Sequence, residues 1–401
     1  MDGRATRGDG SEWLTLPQRK KVLVLVHTEV YGRRLQDLLP LLESDLRIEV
    51  VFTIPPHAFN NGVAAYLSGL GATVVPWEEA TGSDEFDLAL AAGSQGMEQV
   101  RAPLIRISHG AGHMSLARGQ TPGGGSREPG GITGRAGLTW NGKVVPRKVA
   151  LPHRDDLREL ARWCPEALPV AEVVGDPTHD RIAASLPYRA NYREAFGVGD
   201  KEHLALVTST WGRRSSFNRL DGLLPRLLTE LPRDRYRIAL LVHPNVWSRH
   251  GQFQVRAWLA DCRRSGIMVL PPEVDWRAAL VAADSVIGDY GSTTLYATLT
   301  GTPIVLARYP QHDANPASPG VDLALTAPAL SPHRPLAEQL DYASATYPRR
   351  DFNRISRRIS SEPGRFNERM RRLLYRTLGI GQPAFPPVTE PVAAPAWEAS
   401  A

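Results

Sequence analysis

Cysteine is scarce in this sequence, with only Cys164 and Cys262 among 401 residues. A disulfide framework is therefore not expected to hold the fold, and a reducing cytoplasm is the expected setting. Long apolar runs are also missing: none reaches the roughly 18–20 residues that a membrane-spanning helix needs. The opening MDGRATRGDGSEW carries basic residues with no apolar segment behind them, which does not read as a signal peptide. There is no zinc-finger spacing and no RNP-like aromatic motif, so nucleic acid is set aside as a partner. What is present is ordinary for a globular chain, with 42% hydrophobic and 22% charged residues. At this length two α/β domains are expected rather than one core. A formal net charge of +5 suits phosphate-bearing substrates or anionic surfaces without choosing between them.

Short apolar runs alternate with segments of helical period. Lys21–Thr28, Ile48–Ile54, Ala72–Trp77, Phe86–Ala92, Pro103–Ser108 and Val170–Gly175 read as strands, with helices over Gly32–Leu42 and Val63–Leu70. A second series begins near His203. Its strands are Leu204–Ser209, Arg237–Val242, Ile267–Leu270, Ser285–Asp289 and Ile304–Ala307. Its helices are Leu220–Leu231, Gln252–Arg264, Trp276–Ala283 and Thr293–Thr300. Runs that are apolar throughout and separated by helices indicate parallel sheets covered on both faces. The expected architecture is α/β, with two Rossmann-like domains facing a cleft. In detail, residues 1–18 form a polar tail and 19–180 the first domain, with a flexible glycine-rich loop at 119–136. Residues 181–335 form the second domain, 336–380 helices that pack back on the first, and 381–401 a disordered tail.

In such sheets ligands sit beyond the carboxyl ends of strands, so residues just after the apolar runs carry the information. The block from Ala282 to Leu306 ends a strand at Asp289, turns at Tyr290–Gly291 and opens a helix at Ser292, Thr293 and Thr294. Hydroxyls and free N–H groups at a helix start bind phosphate oxygens, so Asp289, Gly291, Ser292, Thr293 and Thr294 are diphosphate-site candidates, although Ser292 could equally serve as a plain cap. His243 and Pro244 close another strand. Thr210 and Arg213 follow a third and could hold a diphosphate, or form a polar turn. In the first domain His109 and Gly110 follow a strand directly, which suits a general base beside a close-approaching substrate. His113 makes HGAGH look like a metal pair, but glycine-rich sequence is poor helix and no third ligand is evident, so no metal is assigned. Asp180, in GDPTHDRI between the two series, either faces the cleft or belongs to a linker.

Taken in order, His109–Gly110, GDPTHDRI, Thr208–Gly212, His243–Pro244 and GDYGSTTLYATLTGTPIVL resemble the CDP-glycerol glycerophosphotransferases. That resemblance implies a GT-B fold with no cofactor. It implies metal-independent attack of an acceptor hydroxyl on the β-phosphate of a nucleotide-diphosphate donor, CDP-glycerol or an NDP-sugar. It makes His109 the base and gives the diphosphate to His243 and Ser292–Thr294. The family follows its His-Gly with proline and lysine, whereas here HGAGHMSLARG leaves Arg118 as the basic substitute. Relatives that build polymers work at the inner membrane face, which makes an anionic membrane surface a candidate partner of the arginine-rich 349–358 and 365–376. His243–Pro244–Asn245 also resembles the non-hydrolysing UDP-N-acetylglucosamine 2-epimerases. A GT-B-shaped binding protein without catalysis is the reading from a third class.

Overall fold

Residues 19–117, 127–213 and 215–396 are described by a computed structural model, and two parallel sheets organise them. The first contains β1 (Lys20–Leu25), β2 (Ile48–Thr53), β3 (Val74–Val75), β4 (Leu88–Ala91) and β5 (Leu104–Ile107). After a two-stranded hairpin, β6 (Thr139–Trp140) and β7 (Lys143–Val144), it adds β8 (Lys148–Leu151) and β9 (Ala171–Val173). The order is β3-β2-β1-β4-β5-β8-β9. The second sheet holds β10 (His203–Ser209), β11 (Tyr236–Val242), β12 (Met268–Leu270), β13 (Ser285–Asp289) and β14 (Ile304–Arg308), in the order β12-β11-β10-β13-β14. Every neighbouring pair in both is parallel.

The central strands are apolar on both faces because helices cover both. Val22, Val24 and Val26 of the β1 run enter one core, and Leu23 and Leu25 the other. Full burial of each such side chain is worth about 1.5–3 kcal/mol. The strand order reverses between β1 and β4 and again between β10 and β13. Each reversal opens a crevice at the carboxyl ends of those strands.

Several expectations are corrected. The helix expected over Gly32–Leu42 runs over Glu29–Gln36, where Thr28 Oγ1 caps Tyr31 N, and continues only as a 3-10 turn at Leu39–Leu41. Pro40 has no N–H to continue an α-helical ladder. The helix Gln252–Arg264 is two, Gln252–Trp258 and Ala260–Arg264, and the strand Ala72–Trp77 shrinks to β3. Residues 127–136 of the glycine-rich loop are packed: Gly130 N donates to Ser115 O at 2.8 Å, and Ile132 and Thr133 are fully buried. Residues 119–126 lie outside the described residues.

The C-terminal third also differs. Helix Leu336–Ala345 buries Leu336, Leu340 and Ala343 in the second domain, and helix Arg349–Arg357 buries Phe352 and Ile355 there too. Only Phe366–Leu378 packs on the first domain, through Phe366, Met370, Leu373, Leu374, Tyr375 and Leu378. Residues 381–396 are not a loose tail. The chain returns across both domains: Asn367 Nδ2 donates to Val388 O at 2.8 Å, Tyr192 OH to Val392 O at 2.5 Å, and Val392 is buried. An extended proline-rich segment shows no periodicity, yet side-chain donors can satisfy its carbonyls.

The arginines of 365–376 are also not a free cationic face. Arg369 pairs with Glu362, Arg365 and Arg372 with Glu368, and Arg376 with Glu172, while Arg371 is buried against Phe385. Asp180 is turned away from the cleft. It accepts from Gly364 N at 2.7 Å and Phe366 N at 3.0 Å, anchoring the start of the last helix. Replacing it with alanine should cost about 1–3 kcal/mol in urea unfolding, the penalty for stranding buried donors. Calorimetric nucleotide affinity should not change.

Candidate active site

The second domain's half of the site is built around Asp289. A register shift between Gly288 and Asp289 turns this carboxylate inward at the end of β13. There it accepts from Ser216 N at 2.7 Å, from Thr210 N and Oγ1 at 3.0 Å each, and from Ser209 Oγ at 3.3 Å, with Ser216 Oγ on its other oxygen. At 2% exposure it has no face left for a ligand. The expectation that Asp289 binds diphosphate is therefore corrected: it fixes the loop after β10. Thr210 is likewise turned toward Asp289, and its methyl carbon would lie 2.6 Å from a Cβ on Gly291. Thr294 is buried, with its hydroxyl 3.3 Å from that of Thr208 beneath the helix, so it does not face the cleft either. The helix Ser292–Tyr296 is short and continues as a 3-10 turn. Gly291 at its cap position offers no side-chain acceptor, so first-turn amides are left uncapped. Ser292 and Thr293 are half-buried, and Arg213 is exposed.

His243 caps the helix Pro244–His250, and its Nδ1 accepts from Asn245 N at 3.0 Å. In the neutral ring that contact leaves the proton on Nε2, so His243 presents a donor rather than a base. Burial pushes its pKa down to about 4, which keeps the ring neutral near pH 7.

The first domain contributes more than His109. Tyr31 lies 4.9 Å from it, ring centre to ring centre. His27, at the end of β1, and His57, beyond β2, stand 6.0 Å apart. His27 Nε2 meets the Gln95 carbonyl at 2.6 Å, which fixes the proton there and leaves Nδ1 as a buried acceptor with no partner. These residues follow strand ends just as His109 does, in KVLVLVHT and VVFTIPPHAF. That position was the readable signal, and sequence reasoning missed it. His109 itself is open to solvent within the cleft, yet dense protein surrounds it. That enclosure, then the positive charge of Arg106 and neighbouring His113, Arg34 and His243, push its pKa well below the usual histidine range. A ring so placed is neutral near pH 7, and the same surroundings make it a weaker base than a free imidazole.

The two halves meet directly. A Cβ on Gly110 would lie 2.5 Å from Ser292 Oγ and 3.3 Å from Ser292 Cβ, so any side chain there would force the Ser292 hydroxyl to turn away. Tyr290 OH donates to Met114 O at 2.8 Å on one side of that contact. On the other, Phe59 packs 4.9 Å from Trp211, and Trp211 lies 6.4 Å from His243. His109, Gly110, His243, Ser292 and Thr293 thus gather in one cleft. Asp180 does not join them, and Arg118 lies outside the described residues. Among the described residues no group of three His, Cys, Asp or Glu side chains is arranged to hold a metal ion. A surface pocket of about 440 Å³ opens instead at the far end of β10, but its Arg189, Arg193 and Asp284 are ion-paired with one another.

This arrangement is that of the GT-B fold, two Rossmann-like domains with a cleft between them. The wall teichoic acid polymerase TagF superposes with a TM-score of 0.59 at 13% identity, over 90% of this chain and 89% of that one. A variant of the same polymerase gives 0.61 over 91% and 90%. The S. aureus MnaA–UDP structure gives 0.57 at 13% identity, over 93% of this chain and all of that one. No family model matches the sequence, and no curated protein does.

The buried histidines set a pH dependence. His27 is fully buried, and desolvation lowers its pKa to about 4, while in the unfolded chain it takes up its proton near pH 6.5. Between those values the unfolded state binds more protons, so this stability is present above pH 6.5 and lost as pH falls toward 4. The contribution is roughly 3 kcal/mol. Urea unfolding at pH 7 and pH 4.5 should show the loss, and His27→Asn should flatten it. An unchanged slope in the variant would assign the effect elsewhere.

Proposed function

We propose that the chain is a transferase using a nucleotide-diphosphate donor, with CDP-glycerol-type glycerophosphate transfer as the finer reading. The observation that carries it is the approach of Gly110 to Ser292, which sets the neutral His109 beside the helix start. On this reading Ser292, Thr293, the uncapped first-turn amides and His243 Nε2–H receive the diphosphate. The acceptor hydroxyl lies against His109. Its oxygen forms a bond to the β-phosphorus as the bond from that phosphorus to the bridging oxygen breaks. His109 takes the hydroxyl proton, and the nucleoside monophosphate leaves with the electron pair. Negative charge grows on the leaving phosphate, so a donor fixed there favours the transition state over the ground state. A base that is neutral near pH 7 needs no prior deprotonation. On this reading an anionic membrane surface would meet the exposed Arg349, Arg350 and Arg357, the part of the basic sequence not paired internally.

Calorimetric titration with CDP-glycerol and UDP-sugars, beside a turnover assay with whichever binds, tests the roles. His109→Ala should lower turnover about 10²–10⁴-fold with nucleotide affinity nearly intact. His243→Ala should weaken nucleotide binding and lower turnover by about 10²–10³. Gly110→Ala should lower turnover in a folded protein by turning the Ser292 hydroxyl away from the cleft. If His109→Ala abolishes binding and His243→Ala does not, the roles are exchanged. If neither variant changes anything, the cleft is not the active site.

A further inference from the structure

Arg106 lies on β5 and is only 2% exposed. Two other buried arginines sit against carboxylates, Arg34 on Asp176 and Arg277 on Asp37 and Asp275. Arg106 does not. Its Nη1 donates to two main-chain carbonyls, Ile107 O and, at 3.5 Å, Ala91 O, and its Nε is buried with no partner. Among the described residues no carboxylate pairs with it. The acidic group that feels its charge is the Tyr31 phenol, whose pKa is raised by burial, so it stays neutral near pH 7. Burial pulls the pKa of Arg106 down to about 10, which still leaves the guanidinium charged at pH 7. A buried ion without a counter-charge is among the most unfavourable features a fold can keep.

The place of this charge indicates what answers it. Ala91 ends β4 and Ile107 ends β5, so the guanidinium lies at the carboxyl edge of the first sheet, where ligands of such sheets sit. Its charge reaches His27, Tyr31 and His109. The first domain's groups beside it are neutral. His57 Nδ1 accepts from Phe59 N at 3.1 Å, which leaves the ring proton on Nε2, and the Tyr31 ring stands 6.2 Å from that of His57. A neutral ligand would leave the charge of Arg106 unanswered, and a cation would add to it. An oxyanion answers it.

We infer that Arg106 is the fixed counter-charge of a phosphate-type oxyanion bound in the cleft, acting on it through space from the first sheet. It is a positioning residue and not a contact, because the side chain is too deep to be touched. The inference deepens the transferase reading by naming a source of its charge, and it rests on that reading only for the place of the ligand. It also sets stability against binding: the empty protein carries an unanswered charge that the loaded one does not.

The test separates the charge from the hydrogen bonds. Arg106→Met removes both, Arg106→Gln keeps a donor for the carbonyls without the charge, and Arg106→Lys keeps the charge without the planar fork. Two probes are titrated into the full-length chain at fixed pH while the C2–H proton resonance of His109 is followed. Pyrophosphate stands for the diphosphate of a donor, and methyl phosphate for a phosphate ester on an acceptor. The expected result is a saturable shift in the wild type with at least one of them, which names the source of the anion. Affinity should fall about tenfold or more in both Arg106→Met and Arg106→Gln, with Arg106→Lys closer to wild type than either. Without ligand, Arg106→Met should melt at or above the wild-type Tm, since a buried charge has given way to an apolar chain. Affinity that follows the hydrogen bonds, kept in Arg106→Gln and lost in Arg106→Lys, would overturn the role. So would affinity unchanged in all three, or a wild type in which neither anion moves His109. Should Arg106→Met fail to fold, the comparison of Arg106→Gln with Arg106→Lys decides. CDP in the same samples keeps the readings apart: if it does not bind while pyrophosphate does, the nucleotide reading fails and the role of Arg106 stands.

Discussion

One buried ion pair carries the relation between the domains. Arg34, on the first helix, meets Asp176 Oδ2 at 2.6 Å, and both residues are buried. Its Nε also donates to Ser108 O at 3.0 Å and its Nη1 to Thr178 Oγ1 at 2.8 Å. Asp176 caps the linking helix at His179 N and receives Tyr296 OH from the second domain at 3.0 Å on each oxygen. Removing one partner of such a pair leaves an unanswered buried charge, which costs about 3–5 kcal/mol. What matters for chemistry is where the arms end. Ser108 directly precedes His109, and Tyr296 lies four residues after Ser292, so both halves of the cleft hang on the same charges. A second cross-domain contact, Arg277 with Asp37 at 2.8 Å, ties the C-terminal cap of the first helix to the second domain.

The alternation of apolar runs and helical periods was enough to read two doubly wound sheets, because a buried parallel strand leaves a continuous apolar run. Short elements were not readable in this way. The four residues of β8 follow a glycine-rich stretch and precede a polar helix, and their burial comes from neighbours far away in sequence. Of the site, the residues that follow strands were legible as a class: His109, His243 and Ser292 reach the cleft. Which polar residue faces which way was not. Asp289, Thr294 and Asp180 look outward-facing in sequence, yet each is turned inward by a bulge or a helix start that only the assembled fold creates. His27 and His57 failed for the opposite reason, since a lone histidine after a strand reads as ordinary until the second domain stands across from it.

Those inversions reveal a division of labour between charged and neutral groups. Asp289, at the end of β13, is surrounded by hydroxyl and amide donors, so it shapes a loop without presenting a free charge to the cleft. The histidines that do face the cleft are neutral, His243 held so by its dense surroundings and His109 by enclosure and nearby cations, while His27 is neutral and fully buried behind them. On the proposed reading, a nucleotide diphosphate entering this space meets no free charge from Asp289, whose oxygens already accept from the loop after β10. It meets N–H and O–H dipoles whose positions are already fixed, and fixed dipoles need no reorganisation when charge moves from one phosphate oxygen to another.

The same logic explains why the cations stand behind the cleft and not in it. Arg34 and Arg106 are buried, and both act on His109 through space. Placed in the cleft, either would bind donor and product phosphate alike, and uniform binding of that kind does not lower the barrier. Placed behind it, they keep His109 neutral at the cost of its basicity, and on the proposed reading they carry positive potential toward the leaving group. Arg34 can occupy that position only because Asp176 answers its charge from the linker between the two sheets. The linker is therefore more than a connection: it carries the counter-charge that lets a neutral site sit on a cationic floor.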